Sequence, residues 1–103
     1  GAAGTVRGIE FHNGTTFTLD PRANPSVRGV VWMNGVPRTS TTRVMAAQAS
    51  YGKGRVCFIG DSSVVDDGSA NPGNTNIYDG WHEAGGSNGI LALNATLWVT
   101  RRK

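Results

Sequence analysis

Residues 61–89 (DSSVVDDGSANPGNTNIYDGWHEAGGSNG) carry almost no apolar periodicity, and this decides where a core can form. A polar loop of this length in a compact chain is usually a functional loop or one that holds something. The core must therefore come from the segments on either side. On the C-terminal side, residues 87–100 (SNGILALNATLWVT) repeat Ile90, Leu91, Leu93, Ala95, Leu97 and Trp98 at helical spacing, with Ser87 placed to cap them, and predict one helix. Arg101, Arg102 and Lys103 then fall at the helix end that favours cations.

On the N-terminal side, short runs rich in β-branched and aromatic residues alternate with turn signals. Residues 6–11 and 15–19 flank Asn13-Gly14, a hairpin signal. Asp20-Pro21 and Asn24-Pro25 punctuate a loop, and residues 27–33 form a further strand closed by Asn34-Gly35. Residues 43–50 lead into a turn at Tyr51-Gly52-Lys53-Gly54. Residues 55–60 (RVCFIG) run apolar without alternation, as a central strand covered on both faces would. A chain of 103 residues suits one domain. The pattern predicts a single small α/β (or α+β) domain over 1–103: a mixed sheet of about five strands, one main C-terminal helix and a long acidic loop at the sheet's rim. No apolar run reaches the ~20 residues of a membrane span, and the opening GAAGTVRG does not read as a signal peptide. A single cysteine, Cys57, excludes an internal disulfide framework and a Cys-rich zinc site, and its place within an apolar strand predicts an inert thiol.

The formal charge of +3 is unevenly spread. Residues 1–60 hold seven Lys or Arg against two acids. Residues 61–83 hold Asp61, Asp66, Asp67, Asp79 and Glu83 with no Lys or Arg. The arginines stand singly, without interleaved aromatics, which argues against a nucleic-acid surface. The acidic stretch is the part that asks for a partner. Clustered carboxylates need water, a cation or an arginine. Asp66, Asp67 and Asp79 are candidate oxygen ligands for Ca²⁺, although their spacing is not that of an EF-hand, and Arg22, Arg28, Arg38 or Arg43 would neutralise them equally well. Asp61 and Ser62 follow the strand 55–60, where sheets commonly place sites; Asp61 reads either as a ligand contact or as a cap of the next turn. Tyr78, Trp81 and His82 would line a pocket with them, since aromatic faces stack on sugars or bases. This predicts a non-enzymatic binding or structural module whose partner is a small ligand or carbohydrate.

The contrasting reading is a small serine hydrolase, with Ser62 as nucleophile, His82 as base and Asp79 as the acid that orients it. Gly60-Asp61-Ser62 resembles the first block of SGNH/GDSL hydrolases, and Asp79-x-x-His82 their last. About sixty residues precede Gly60 here, the two blocks are close together, and the middle blocks with the oxyanion-hole Gly and Asn are not recognisable.

A wider resemblance runs from Tyr51 to Val99. Gly52, Gly54, Arg55, Val56, Gly60, Asp61 and Ser62, then Leu91, Asn94, Ala95 and Trp98, resemble the C-terminal half of non-catalytic class I glutamine-amidotransferase-like domains of bacterial multidomain, often secreted, proteins. The resemblance implies a half-domain or fragment of a secreted parent. The βαβ half that opens such domains is not seen, Cys57 lies within a strand rather than at an elbow, and His82-Glu83 has the wrong spacing, so amidotransferase activity is not implied. A half-domain would expose a sheet edge and an apolar face, which predicts homodimerisation.

Overall fold

The computed structural model describes residues 1–75 and 77–101. The chain divides into two compact units: Thr15–Gly60, and Gly1–Gly14 together with Asp61–Lys103.

The first unit is a three-stranded antiparallel sheet, ordered β1 (Arg28–Trp32), β2 (Val44–Tyr51), β3 (Gly54–Ile59). The expected mixed sheet of about five strands is not formed, and α+β describes the molecule. The central strand is β2, whose Val44, Ala46, Ala47 and Ala49 are all buried. Consecutive buried residues point to opposite faces, so β2 is covered on both sides, and its alanines leave room for that cover. The strand over 55–60 was expected at the centre. It is instead the edge strand β3, with Val56 and Phe58 exposed in alternation with half-buried Arg55, Cys57 and Ile59. Continuous apolar residues did not mean two-sided burial; Phe58 finds a ring partner in Phe17, with centroids 6.1 Å apart. Tyr51 pairs with Gly54 across Gly52-Lys53, and Gly52 takes φ +56, the glycine-first turn that fits a two-residue hairpin.

Residues 15–19 form no strand. They contribute one bridge, Phe17 to Val44, and two further bonds, from the Leu19 N–H to the Thr41 carbonyl at 2.7 Å and from the Thr15 N–H to the Gly60 carbonyl at 2.8 Å. Side chains take over where pairing stops at the other end of β2. Asn24 Nδ2 donates to the Ser50 carbonyl at 2.9 Å, and the Ser50 N–H donates to Ser26 Oγ at 2.8 Å.

The second unit is built on α1 (Asn88–Thr100) and a short 3-10 helix, Ser62–Val65. Only Asn88 and Leu91 of α1 are buried, while Leu93 and Leu97 are 46% and 43% exposed. The helix is apolar on all sides, not the one-faced helix its spacing suggested. Arg101 is its C-cap residue; Arg102 and Lys103, expected at the helix end, lie outside the described residues. No helix among the described residues is long and apolar enough to cross a membrane.

Residues 6–11, expected as a strand, form no strand and pair with no backbone ladder. Their partners are chiefly side chains of the loop and helix. Ser87 was expected to cap α1 with its hydroxyl; that hydroxyl instead accepts the Arg7 N–H at 3.1 Å, while the Ser87 N–H donates to the Gly8 carbonyl at 2.7 Å. The Asn13-Gly14 signal gives a turn, with Asn13 at φ +76, but no hairpin, because neither flank becomes a strand.

Candidate functional site

The acidic loop is closed on itself by its backbone. The Gly68 N–H donates to the Tyr78 carbonyl and the Trp81 N–H to the Asp66 carbonyl, both at 2.9 Å. The excursion between them turns at Asn71-Pro72-Gly73-Asn74, where the Asn74 N–H reaches the Asn71 carbonyl at 3.1 Å and Gly73 has φ +87. Proline at the second position and a positive-φ glycine at the third are the type II arrangement.

Asp61 organises the loop's entry. Its backbone is extended, and its Oδ1 accepts the Ser63 N–H at 2.9 Å, capping the 3-10 helix. Its Oδ2 accepts the His12 N–H. Burial pushes the Asp61 carboxyl up, but the Ser63 N–H and hydroxyl, the His12 N–H and the nearby imidazole together outweigh it and hold the carboxyl below its ordinary value. Of the two readings open for Asp61, the cap is the role its geometry serves.

His12 is the centre of a cluster that spans the unit. Its Nδ1 is 3.0 Å from Ser63 Oγ, its Nε2 is 3.3 Å from Glu83 Oε2, and Tyr78 stacks on its ring with centroids 4.6 Å apart. One ring nitrogen thus faces a hydroxyl and the other a carboxylate, so the imidazole is held from both sides. The order serine, histidine, carboxylate is that of a nucleophilic triad with the ring nitrogens exchanged. Ser63, however, is 3% exposed, and Gly80 lies directly over its carbonyl. A nucleophile has to meet its substrate, so these side chains fasten residue 12 to the loop.

Sequence reasoning missed His12, Ser63 and Glu83. They lie 51 and 71 positions apart from His12, and no spacing rule joins them. The one usable signal was the serine pair itself. After a capping Asp61, Ser62 points outward and Ser63 inward, the reverse of what a nucleophile at Ser62 and an anonymous Ser63 suggested.

The residues expected to gather do so only in part. Asp79 and His82 form a pair on the surface: Nδ1 of His82 is 2.9 Å from Oδ1 of Asp79, and the His82 N–H donates to the same oxygen at 3.2 Å. Ser62 is exposed, and among the described residues no hydrogen bond joins it to His82. Tyr78 is engaged by His12. Trp81 leans on Gly89 in the first turn of α1 and stays 39% exposed. Asp67 is turned inward on its own loop, accepting from the Ser69 N–H at 3.0 Å and the Ser69 hydroxyl at 2.5 Å, which lower its pKa. Among the described residues no group of three His, Cys, Asp or Glu could hold a metal ion. Partial burial raises the pKa of the Cys57 thiol, away from the reactive range.

The chain matches no family model, no curated protein and no solved structure.

Proposed function

We propose that the chain is a non-enzymatic binding module, and that it takes a small polyhydroxylated ligand, a carbohydrate by chemistry, on the exposed edge made by Asp79, Trp81 and His82. The observation that carries this reading is Trp81. The indole rests against Gly89 yet remains 39% exposed, in a loop pinned at its own N–H and flanked by a fixed carboxylate–imidazole pair. A supported aromatic face stacks on a sugar ring, and the carboxylate and imidazole accept or donate to its hydroxyl groups. The resemblance to non-catalytic glutamine-amidotransferase-like domains supports a module without chemistry of its own, within a secreted bacterial parent.

Titration with a panel of mono- and oligosaccharides, followed through the Trp81 indole N–H resonance, tests the reading. Binding should shift that resonance, and Trp81→Ala should weaken binding at least about tenfold, the worth of a lost stacking contact. Indifference of the resonance to every sugar at millimolar concentration would reject it.

One observation favours a second reading. A carboxylate can only accept from His82 Nδ1, which leaves Nε2 as the basic nitrogen, the arrangement that a hydrolase using Ser62, His82 and Asp79 would need. A serine-directed phosphonate separates the two. Covalent labelling at Ser62 would replace the binding module with the hydrolase.

A further inference from the structure

Residues 1–12 lie along the rest of their unit as a strap. None of these residues is buried, and among the described residues one backbone-to-backbone hydrogen bond ties them to the loop and helix, from the Ser87 N–H to the Gly8 carbonyl. The other hydrogen bonds that hold the strap among the described residues come from side chains. Asn94 accepts the Ala3 N–H at 2.8 Å and donates to the Gly4 carbonyl at 3.0 Å. Ser87 accepts from Arg7. Asn88 accepts the Glu10 N–H at 3.0 Å and donates to the Glu10 carbonyl at 3.2 Å. Asp61, Ser63 and Glu83 then close on His12. Helix and loop thus form a receptor for a peptide segment, and the segment now in it belongs to the same chain.

The strap leaves its receptor at Asn13-Gly14. Both residues are exposed, Asn13 has φ +76, and the boundary between the two compact units falls directly after Gly14. A segment held from outside the core, with a hinge at its root, is the element that two copies of a chain exchange at low cost.

We propose that this strap exchanges between two copies of the chain, giving a dimer in which residues 1–12 of each lie on the Asn94, Asn88, Ser87 and Asp61 of the other. The second copy is the fitting occupant because its residues 1–12 are the segment that already makes these bonds within one chain. The two asparagine clamps and the serine fix the register by backbone groups, and the cluster of Ser63 and Glu83 admits an imidazole at position 12. Each copy would supply the partner with the histidine that its own cluster lacks once its strap has left. The closed form competes through a short hinge, which gives the strap an effective concentration in the millimolar range. Exchange should therefore show when the full chain is refolded at millimolar concentration rather than in dilute solution.

The test refolds an equal mixture of isotope-labelled and unlabelled full-length chain at that concentration and separates the species by size. An added Cβ at Gly4 would stand 3.6 Å from Ile90 Cγ2, so the Gly4 α-protons and the Ile90 methyls report strap seating. The expected result is a dimer fraction with isotope-filtered contacts between Gly4 of one copy and Ile90 of the other. Deleting Gly14, which shortens the hinge, should raise that fraction several-fold. A chain that stays monomeric after co-refolding, or a dimer whose Gly4–Ile90 contacts remain within one copy, would overturn the proposal. The outcome is independent of sugar binding at Trp81.

Discussion

Asn88 clasps Glu10 at both of its backbone groups, accepting the N–H at 3.0 Å and donating to the carbonyl at 3.2 Å. A β-strand neighbour would satisfy the same two groups; here a side-chain amide on the first turn of a helix stands in for it. Asn94, two turns along, does the same for Ala3 and Gly4. The N-terminal segment is thereby fixed without becoming part of a sheet.

Because Asn88 is 1% exposed, truncating it leaves no water to replace the amide. Asn88→Ala should destabilise the chain by about 2–3 kcal/mol, the combined loss of two hydrogen bonds and the desolvation of their orphaned partners. Asn94→Ala, at a half-buried site, should cost about 1 kcal/mol. Asn88→Asp keeps the acceptor but turns a carboxylate oxygen toward the Glu10 carbonyl, so it should resemble alanine rather than wild type. Urea unfolding of the three variants checks the order.

The difference between strap and strand explains what could be read from the residues. Three of the expected strands, the two-residue turn at Gly52-Lys53 and the helix follow from local propensity, and all are present. Residues 6–11 have the same alternation as a strand, but strand identity depends on a backbone partner, and theirs are asparagine and serine side chains some 80 positions away. The centre of the sheet was misplaced for a related reason: residues 55–60 are the more apolar, yet the alanines of β2 are the ones that admit cover on both faces. At the candidate site, the Asp79–His82 pair was legible because it is local. The His12 cluster was not, because only tertiary folding brings residues 12, 63 and 83 together.

Gly80 tests how tightly the loop is folded over Ser63. A Cβ there would run into the Ser63 carbonyl and the Val64 backbone, atoms that cannot swing aside. Gly80→Ala should cost at least about 3 kcal/mol. Gly8 has open space around its Cα and no positive φ, so Gly8→Ala should be neutral or stabilise by about 0.5 kcal/mol through the unfolded state. Thermal melts of the pair should move in opposite directions, and similar losses in both would argue against the close approach at Gly80.

Asp61 links the fold to acid. Its carboxyl is held below the ordinary value, so the folded chain favours the ionised form and the unfolded chain takes up the proton first as pH falls. The stabilisation is therefore present above about pH 3.9, the ordinary aspartate value, and is lost as pH drops through the lowered folded value. Asp61→Asn has one acceptor oxygen for two donors, Ser63 and His12, and should lose about 1 kcal/mol near neutral pH. The gap between wild type and Asp61→Asn should narrow below pH ~4 in urea titrations at stepped pH. A gap unchanged down to the most acidic point would mean that the carboxylate contributes nothing through its charge.

Three Asn-Gly pairs differ in how freely they can rearrange. In such pairs the glycine nitrogen attacks the asparagine Cγ, ammonia leaves, and water opens the resulting succinimide to aspartate or isoaspartate. The reaction needs a mobile amide and an unhindered following nitrogen. Asn13 and Asn34 are exposed, and among the described residues neither side chain makes a hydrogen bond. Asn88 is buried, with both ends of its amide held by Glu10. On mildly alkaline incubation, peptide mapping by mass spectrometry should find Asn13 and Asn34 converted to acid while Asn88 remains intact. In Glu10→Pro, which removes the N–H that Asn88 accepts, conversion at Asn88 should rise toward the rate of the other two. Equal rates at all three positions in the folded wild type would show that the clasp between Asn88 and Glu10 opens freely in solution.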